Sequence, residues 1–211
     1  MSYIKKLLAV VLILTMTLGL VVSGYALTSP GGGPVAPGET VVTEKGTVTL
    51  YDVSDDGTAE VEKVTQDPAN PSKTAKLDGG DNPITSIGDG SKGVFSSKTG
   101  KKITKVVVDS TKRVEITKKA FKGSNVKKIQ MKNQKTTIRK DAFSGTKKKT
   151  VTLELKSAKK ASDIKVSKGS FNGLSSDSRI VVSKANMSKK EFNKLEKKLR
   201  DAGFTGSIVR K

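Results

Sequence analysis

A short motif that recurs along the C-terminal half is the feature that most constrains the fold of this chain. In each copy an apolar residue is followed four positions later by a small residue and then by Phe, with Gly two positions after the Phe. The copies are Ile116-Ala120-Phe121-Gly123, Ile138-Ala142-Phe143-Gly145 and Val166-Ser170-Phe171-Gly173. Because one such unit cannot bury its own apolar side, several units must stack to form a continuous core.

A second pattern precedes the Phe motifs and has the spacing of a strand. Its positions i, i+3 and i+5 are apolar in the clearest copies, and the last two share one strand face because side chains alternate. We interpret the Phe segment that follows as a tight turn or short helix, in which Gly permits a left-handed backbone. The copies are Ile103-Val106-Val108, Val126-Ile129-Met131 and Thr150-Leu153-Leu155, with a degenerate earlier unit at Ile84–Gly88 and Val94-Phe95.

These residues resemble the BspA-like class of bacterial leucine-rich repeats, whose unit reads I-x-x-I-G-x-x-A-F-x-G before a strand of L-x-x-I-x-I type. Residues 116–131 and 138–145 are close matches, and residues 166–173 are a weaker match with Ser in place of Ala. The resemblance covers residues 84–185. It implies a repeat solenoid, leucine-rich-repeat-like and mainly β with short helical turns, and a surface or secreted protein linked to adhesion.

The segments on either side of the repeats complete the predicted fold. Residues 47–53 and 58–64 alternate as strands on either side of Asp56-Gly57, and a Pro-, Asp- and Lys-rich loop follows at 66–80. Residues 47–83 are therefore predicted to form an N-terminal β-hairpin and a loop that cover one end of the stack. Ser188-Lys189-Lys190-Glu191 is a capping box that begins an apolar-striped helix. Over residues 186–211 this helix and a short strand are expected to form the C-terminal cap, because a stacked core needs covered ends.

The N-terminal residues have the order of an export signal. Residues 1–26 contain a short basic start, a run of 16 mostly apolar residues at Leu7–Val22, and then mostly small residues. This order predicts a secretory signal peptide and a secreted or cell-surface bacterial protein. An uncleaved membrane anchor is the alternative, although a bilayer span needs about 20 residues. The Pro- and Gly-rich residues 27–46 predict a flexible linker, which is either a stalk or a disordered segment.

Two absent residue types remove most catalytic mechanisms. The chain has no His and no Cys, which excludes imidazole-based triads, thiolate nucleophiles, disulfides and zinc sites built on these residues. No other combination of acid, base and nucleophile is visible, and the acidic residues 78–89 lack the spacing of an EF-hand. We therefore expect no enzyme activity, no cofactor and no metal.

The net charge of +20 is concentrated in the C-terminal half. Residues 27–92 carry 11 acids and 5 bases, whereas residues 93–211 carry 9 acids and 33 bases. Such a field attracts polyanions. A solvated lysine surface that keeps sheet edges from aggregating is the alternative explanation. Specific nucleic-acid recognition is not expected, because Arg is scarce and most aromatic residues are committed to the core.

The sequence predicts a non-catalytic exported binding module that acts in adhesion or protein–protein interaction. Its candidate interaction surface is the strand face opposite the buried residues. That surface comprises Lys105, Val107, Lys128 and Gln130. The expected partner is a protein or an anionic polymer such as a glycan or teichoic acid, and a membrane is involved only through an uncleaved signal segment. The second hypothesis is a structural cell-envelope protein that its basic surface retains on anionic wall polymers.

Overall fold

The structure is a computed structural model that describes residues 38–211. The predicted signal peptide and the first part of the predicted linker lie outside these residues. The described chain forms thirteen strands, one α-helix and two short 3₁₀ helices. The elements are β1 (Gly38–Glu44), β2 (Thr47–Val53), β3 (Ala59–Gln66), β4 (Thr74–Leu77), β5 (Ile84–Ile87), β6 (Lys105–Val108), β7 (Val114–Ile116), β8 (Lys128–Met131), β9 (Thr136–Ile138), β10 (Thr152–Leu155), β11 (Ile164–Val166), β12 (Arg179–Val182), α1 (Lys189–Asp201) and β13 (Ser207–Arg210), with 3₁₀ helices at Gly100–Lys102 and Ala161–Asp163.

The strands form two sheets. One has seven strands in the order β1-β2-β3-β5-β7-β9-β11, and the other has six in the order β13-β12-β10-β8-β6-β4. The pairings among β1, β2 and β3 are antiparallel, and all others within the described residues are parallel. From β4 to β12 the chain alternates between the two sheets, so each sequence repeat contributes one strand to each sheet.

The predicted leucine-rich-repeat-like solenoid with short helical turns is wrong. The structure is mainly β, with two layered sheets of seven and six strands that are mostly parallel, and one α-helix among the described residues. The repeat pattern predicts one strand per unit and a tight turn or short helix at the small-Phe-x-Gly segment, and it assigns no strand to the residues before that segment. In the structure these residues, such as Val114–Ile116 and Ile164–Val166, are strands of the second sheet. Three residues are too few for hydrophobic periodicity to separate a strand from a turn.

The N-terminal strands continue the seven-stranded sheet. β2 and β3 pair as an antiparallel hairpin, and β1, which lies in the second half of the predicted linker, adds a third strand. β3 then pairs in parallel with β5, so that Val61 lies opposite Ile87. β4 lies in a stretch predicted as a loop and pairs with β6. The parallel pairing of the six-stranded sheet therefore begins before residue 84.

One Phe from each repeat forms a row along the turns that lead from the seven-stranded sheet to the six-stranded sheet. The ring centroids of Phe95 and Phe121 lie 5.5 Å apart, those of Phe121 and Phe143 lie 5.3 Å apart, and Phe171 follows at 6.3 Å. Phe204 closes the row edge-on to Phe171 at 5.0 Å. All five rings are buried in one core cluster, which explains how a chain with few aromatic residues fills this side of its core.

The turns that carry the Phe residues also bond to each other. Phe121 N donates to Ala142 O at 3.2 Å, and Gly123 N donates to Gly145 O at 2.8 Å in the next turn. The Gly residues have the left-handed backbone that the motif predicts, with φ of +74° at both Gly123 and Gly145. The stacking of turns therefore continues the hydrogen-bonded pairing of the strands.

Helix α1 begins at the predicted capping box. Ser188 Oγ accepts a hydrogen bond from Glu191 N at 3.3 Å, and Leu195 and Leu199 are buried in the common core. The Glu191 carboxylate also accepts a hydrogen bond from Ala161 N at 2.9 Å, which fastens the helix to the 3₁₀ helix before β11. Across residues 38–211, no helix has both the length and the apolar character to cross a bilayer.

Candidate interaction face

The outward side of the six-stranded sheet carries two rows of side chains that the strand register holds side by side. Alternating residues such as Val106, Ile129 and Leu153 point inward and are buried, so their neighbours along each strand point outward. One row is Thr74, Lys105, Lys128, Thr152, Arg179 and Ser207, and the other is Lys76, Val107, Gln130, Glu154, Val181 and Val209. We call these two rows the outward face.

The four residues of the predicted interaction surface lie together on this face but are not equivalent. Lys105 is in register with Lys128, and Val107 is in register with Gln130. Val107 is only 8% exposed, so it packs within the face and offers little contact area. Lys105 has no ion pair within residues 38–211, whereas Lys128 contacts a carboxylate. The free positive charge of this group of four is therefore that of Lys105.

Glu154 is the centre of a polar network on the outward face. Its carboxylate accepts a hydrogen bond from Gln130 Nε2 at 2.6 Å and forms ion pairs with Lys128 at 2.7 Å and Lys156 at 3.0 Å. Burial raises the pKa of Glu154, but these three donors outweigh burial and lower it to about 2. The sequence pattern did not point to Glu154, although it is the one acidic residue in the two rows.

Arg179 extends the outward face next to Thr152 and Ser207. Its Nε is buried and has no hydrogen-bond partner within residues 38–211. Buried polar groups in proteins are nearly always hydrogen-bonded. Because this Nε is buried, a partner molecule cannot reach it. What Arg179 offers the outward face is a guanidinium charge that forms no ion pair within residues 38–211.

A groove of about 590 Å³ lies beside the outward face, at the ends where β4, β6, β8 and β10 begin. Its lining contains five lysines and no acidic residue. All five lysines are exposed, and none forms an ion pair within residues 38–211. We call this feature the lysine groove. It is lined by Lys73, Lys101, Lys102, Lys127 and Lys148, together with Gln66, Pro71, Thr104 and Asn125.

In the sequence four of these five lysines belong to separate pairs and runs, and nothing in it groups them into one site. The pairs and runs are Lys101-Lys102, Lys127-Lys128 and Lys147-Lys148-Lys149. The five lysines come from four turns that are far apart in the chain, and only the parallel pairing of the strands brings the turns together. The sequence holds one indication of the shared site, which is the position of two lysines relative to the strands. Lys73 and Lys127 each directly precede a strand of the six-stranded sheet.

The outward side of the seven-stranded sheet has the opposite charge at its N-terminal end. Burial raises the pKa of Glu60, and neighbouring acids raise it further. Arg139 compensates one acid of this row through an ion pair of 2.6 Å. In the part of the chain that the structure describes, no group of three or more acids is arranged to hold a metal ion. The row runs in register through Glu39, Asp52, Glu60, Ser86 and Glu115.

Comparison with family models, with curated proteins and with solved structures finds no match to this chain. The resemblance to the BspA-like class therefore stays a prediction. Two features of the structure remain as the basis for a functional argument. They are the outward face, with its Glu154 network and the unpaired charges of Lys105 and Arg179, and the lysine groove beside it.

Proposed function

We propose that this protein is a non-catalytic exported binding module that contacts a partner protein at the bacterial cell surface through its outward face. The observation that carries the proposal is that Lys105 and Arg179 lie on the outward face without an ion pair within the described residues. Arg is among the residues that dominate binding energy at protein interfaces. Strands also hold side chains in a more exact arrangement than loops do, which suits specific recognition.

The outward face has the extent and the order that such a contact needs. Six strands spaced by about 4.8 Å span roughly 24 Å. The Glu154 network fixes Lys128 and Gln130 before any partner arrives, which lowers the entropy cost of binding. Lys105 and Arg179 are the basic groups of the outward face that form no ion pair within residues 38–211. The complementary partner therefore presents acidic or carbonyl oxygens opposite these two residues.

The setting of this function rests on two predictions from the sequence. Export rests on the signal peptide predicted at residues 1–26, and the role in adhesion rests on the resemblance of residues 84–185 to the BspA-like class. The absence of His and Cys supports a binding role over catalysis.

A cell-fractionation experiment with matched variants tests the proposal. Cells that produce the full-length protein are washed at low salt and at about 1 M salt, where the Debye length is about 3 Å. The face variant combines Lys105→Ala with Arg179→Ala. The control combines Arg139→Ala with Lys165→Ala, which removes the same charge from outward positions on or next to the seven-stranded sheet. The protein retained in the pellet is measured by immunoblot.

We expect the wild type and the control to stay on the cells at both salt concentrations and the face variant to be released. Equal retention of the two variants contradicts a role for the outward face. Complete release of the wild type at high salt contradicts docking on a protein partner and favours charge-based attachment.

The second candidate function is that of a structural cell-envelope protein retained on anionic wall polymers. The lysine groove favours it, because five exposed lysines meet there without an acidic neighbour in the lining. Attachment of this kind weakens steeply once salt exceeds about 0.15 M, where the Debye length is about 8 Å. The same washes therefore distinguish the two candidates.

A further inference from the structure

We propose that the lysine groove binds a linear polymer that carries phosphate groups, with successive phosphates contacted by lysines from successive turns. This inference deepens the second candidate function and rests on it, since it names the site and the class of ligand. A cell-wall phosphodiester polymer and free polyphosphate share this chemistry.

The backbone sets the spacing of the lysines. Thr104 N donates to Lys73 O at 2.9 Å, and Lys127 N donates to Thr104 O at 2.8 Å. Residues 73, 104 and 127 thus occupy equivalent places just before three neighbouring strands, and Thr152 N continues the ladder by donating to Lys127 O at 2.8 Å. Strands are about 4.8 Å apart, so the four strands that begin at the groove span roughly 14 Å. A ligand that contacts all the lysines must extend across the strands, as a polymer does.

The polar residues of the groove lining leave the lysines free for a ligand. Gln66 Nε2 donates to Ser72 O at 2.8 Å, and Asn125 Nδ2 donates to Lys101 O at 2.8 Å. These amides fix the turns from which the lysines project. The five ammonium groups lack ion pairs within residues 38–211. A polyanion can therefore pair with them without breaking an existing ion pair.

A second basic groove differs in this respect. It has a volume of about 450 Å³, and its lining includes Lys168, Lys194, Lys197, Lys198 and Asp201. Lys198 Nζ donates to Ala161 O at 3.1 Å and to Ile164 O at 2.9 Å, and Lys194 pairs with Glu191 at 2.8 Å. Two of its four lysines are therefore committed to the protein itself. The two grooves form a natural pair of test and control sites.

The chemistry of the lining favours phosphate. Lys binds phosphate as a compact point charge, whereas Arg binds carboxylate or phosphate through a bidentate fork, and the lysine groove has no Arg. The lining also has no aromatic residue on which a base could stack. The recognised group is therefore the phosphate of a chain and not a nucleobase.

Binding of long-chain polyphosphate to the purified full-length protein tests the inference. Affinity is measured by isothermal titration at several salt concentrations, with inorganic phosphate and poly-glutamate as comparison probes. The groove variant combines Lys73→Gln, Lys127→Gln and Lys148→Gln. The control variant combines Lys168→Gln, Lys194→Gln and Lys197→Gln, which removes the same charge from equally exposed positions. Thermal unfolding of both variants verifies that the exposed substitutions leave the fold intact.

We expect the groove variant to bind polyphosphate at least about tenfold more weakly and to lose about 3 from the slope of log affinity against log salt, one for each phosphate contact. The control variant is expected to keep both quantities near wild type. Equal losses in the two variants, or no loss in either, overturn the assignment of the groove. Poly-glutamate binding as tight as polyphosphate overturns the phosphate preference, and inorganic phosphate binding as tightly overturns the extended ligand.

The binding experiment and the cell washes together distinguish failure of the lysine groove as a site from failure of the proposed functions. If polyphosphate binds in the groove but the protein leaves the cells only when the outward face is changed, the site stands and the wall-retention function fails. If salt releases the wild type from cells but the groove variant binds polyphosphate normally, the retention function stands and this site is overturned.

Discussion

Lys128 Nζ lies 2.7 Å from Glu154 Oε1 across two neighbouring parallel strands, while Gln130 donates to the second carboxylate oxygen at 2.6 Å. The Glu154 side chain is only 11% exposed, so little water reaches the carboxylate. Its hydrogen-bond and ion-pair donors keep it ionised there. A carboxylate in this position links the protonation of one residue to the stability of the six-stranded sheet.

The first prediction concerns Glu154 and pH. Its pKa in the folded protein is about 2, below the ordinary value of 4.5. A lowered pKa stabilises the folded state above about pH 5, and that contribution is lost as the pH falls towards 2. Glu154→Gln should therefore cost on the order of 3 kcal/mol of unfolding free energy at pH 7. The difference from wild type should shrink between pH 5 and pH 2, as measured by urea unfolding at each pH.

Glu115→Gln provides the control for this prediction. Glu115 is also ion-paired, to Arg139 at 2.6 Å, but the side chains are 30% and 56% exposed. Exposed ion pairs contribute about 0–1 kcal/mol, so this variant should stay within about 1 kcal/mol of wild type at pH 7. Lowering the pH from 5 to 2 should destabilise the wild type more than it destabilises Glu154→Gln. If both lose the same unfolding free energy over this range, the role given to Glu154 is wrong.

The second prediction concerns the Phe row. Phe143 is buried between Phe121 and Phe171, so Phe143→Ala leaves a cavity and removes two ring contacts. The expected loss of unfolding free energy is about 3–5 kcal/mol, measured by urea unfolding. Phe192→Ala is the matched control, because Phe192 is only partly buried and should cost at most about 2 kcal/mol. Equal costs for the two variants would show that the row adds nothing beyond ordinary burial.

How far the sequence predicts this structure depends on the length of each pattern. Alternation over several residues predicts inward-facing Val106 and Ile129 correctly, and the capping box predicts the start of the helix at Ser188. The strands at Val114–Ile116 and Ile164–Val166 have three residues each, and the repeat pattern does not predict them. Each of these strands pairs with a strand one repeat away, so the pairing, and not the local sequence preference, makes them strands. Because they build the seven-stranded sheet, the predicted fold class was wrong as well.

The candidate site was predictable to a similar, partial extent. Strand alternation alone puts Lys105, Lys128 and Gln130 on one side of a sheet. It does not show that Glu154, more than 20 residues further along the chain, is in register with Gln130. The lysine groove requires the lateral order of four turns, which depends on which strands pair. Both features follow from parallel stacking, which a single sequence does not specify.

The third prediction concerns the start of helix α1. Ser188 Oγ accepts a hydrogen bond from Glu191 N, so Ser188→Ala leaves one amide of the first turn without its cap. The expected cost is about 1 kcal/mol of unfolding free energy. Ser176→Ala, at an exposed position outside the helices and strands, should change stability by less than about 0.5 kcal/mol. If both variants match wild type in urea unfolding, the cap contributes nothing to the stability of the protein.

The fourth prediction separates backbone strain from steric overlap at two glycines. Gly173 and Gly203 have nearly the same backbone, with φ of +96° and +95°. A Cβ at Gly173 would lie 2.5 Å from Phe143 O, whereas a Cβ at Gly203 would have no atom within 4 Å. Replacement by Ala at either site forces a side chain into a positive φ, at a cost of about 1–2 kcal/mol. Gly173→Ala should cost about 1–3 kcal/mol more, because the neighbouring turn of Phe143 must move away.

The comparison between these two variants tests how the Phe turns stack. Since both carry the same backbone strain, the difference between their unfolding free energies isolates the contact of Gly173 with the turn of Phe143. We expect urea unfolding to place Gly173→Ala clearly below Gly203→Ala, and near-ultraviolet circular dichroism to show a changed Phe environment only in Gly173→Ala. Equal stabilities would mean that the turns separate at little cost. In that case the strand pairing, and not the stacking of the turns, holds neighbouring repeats together.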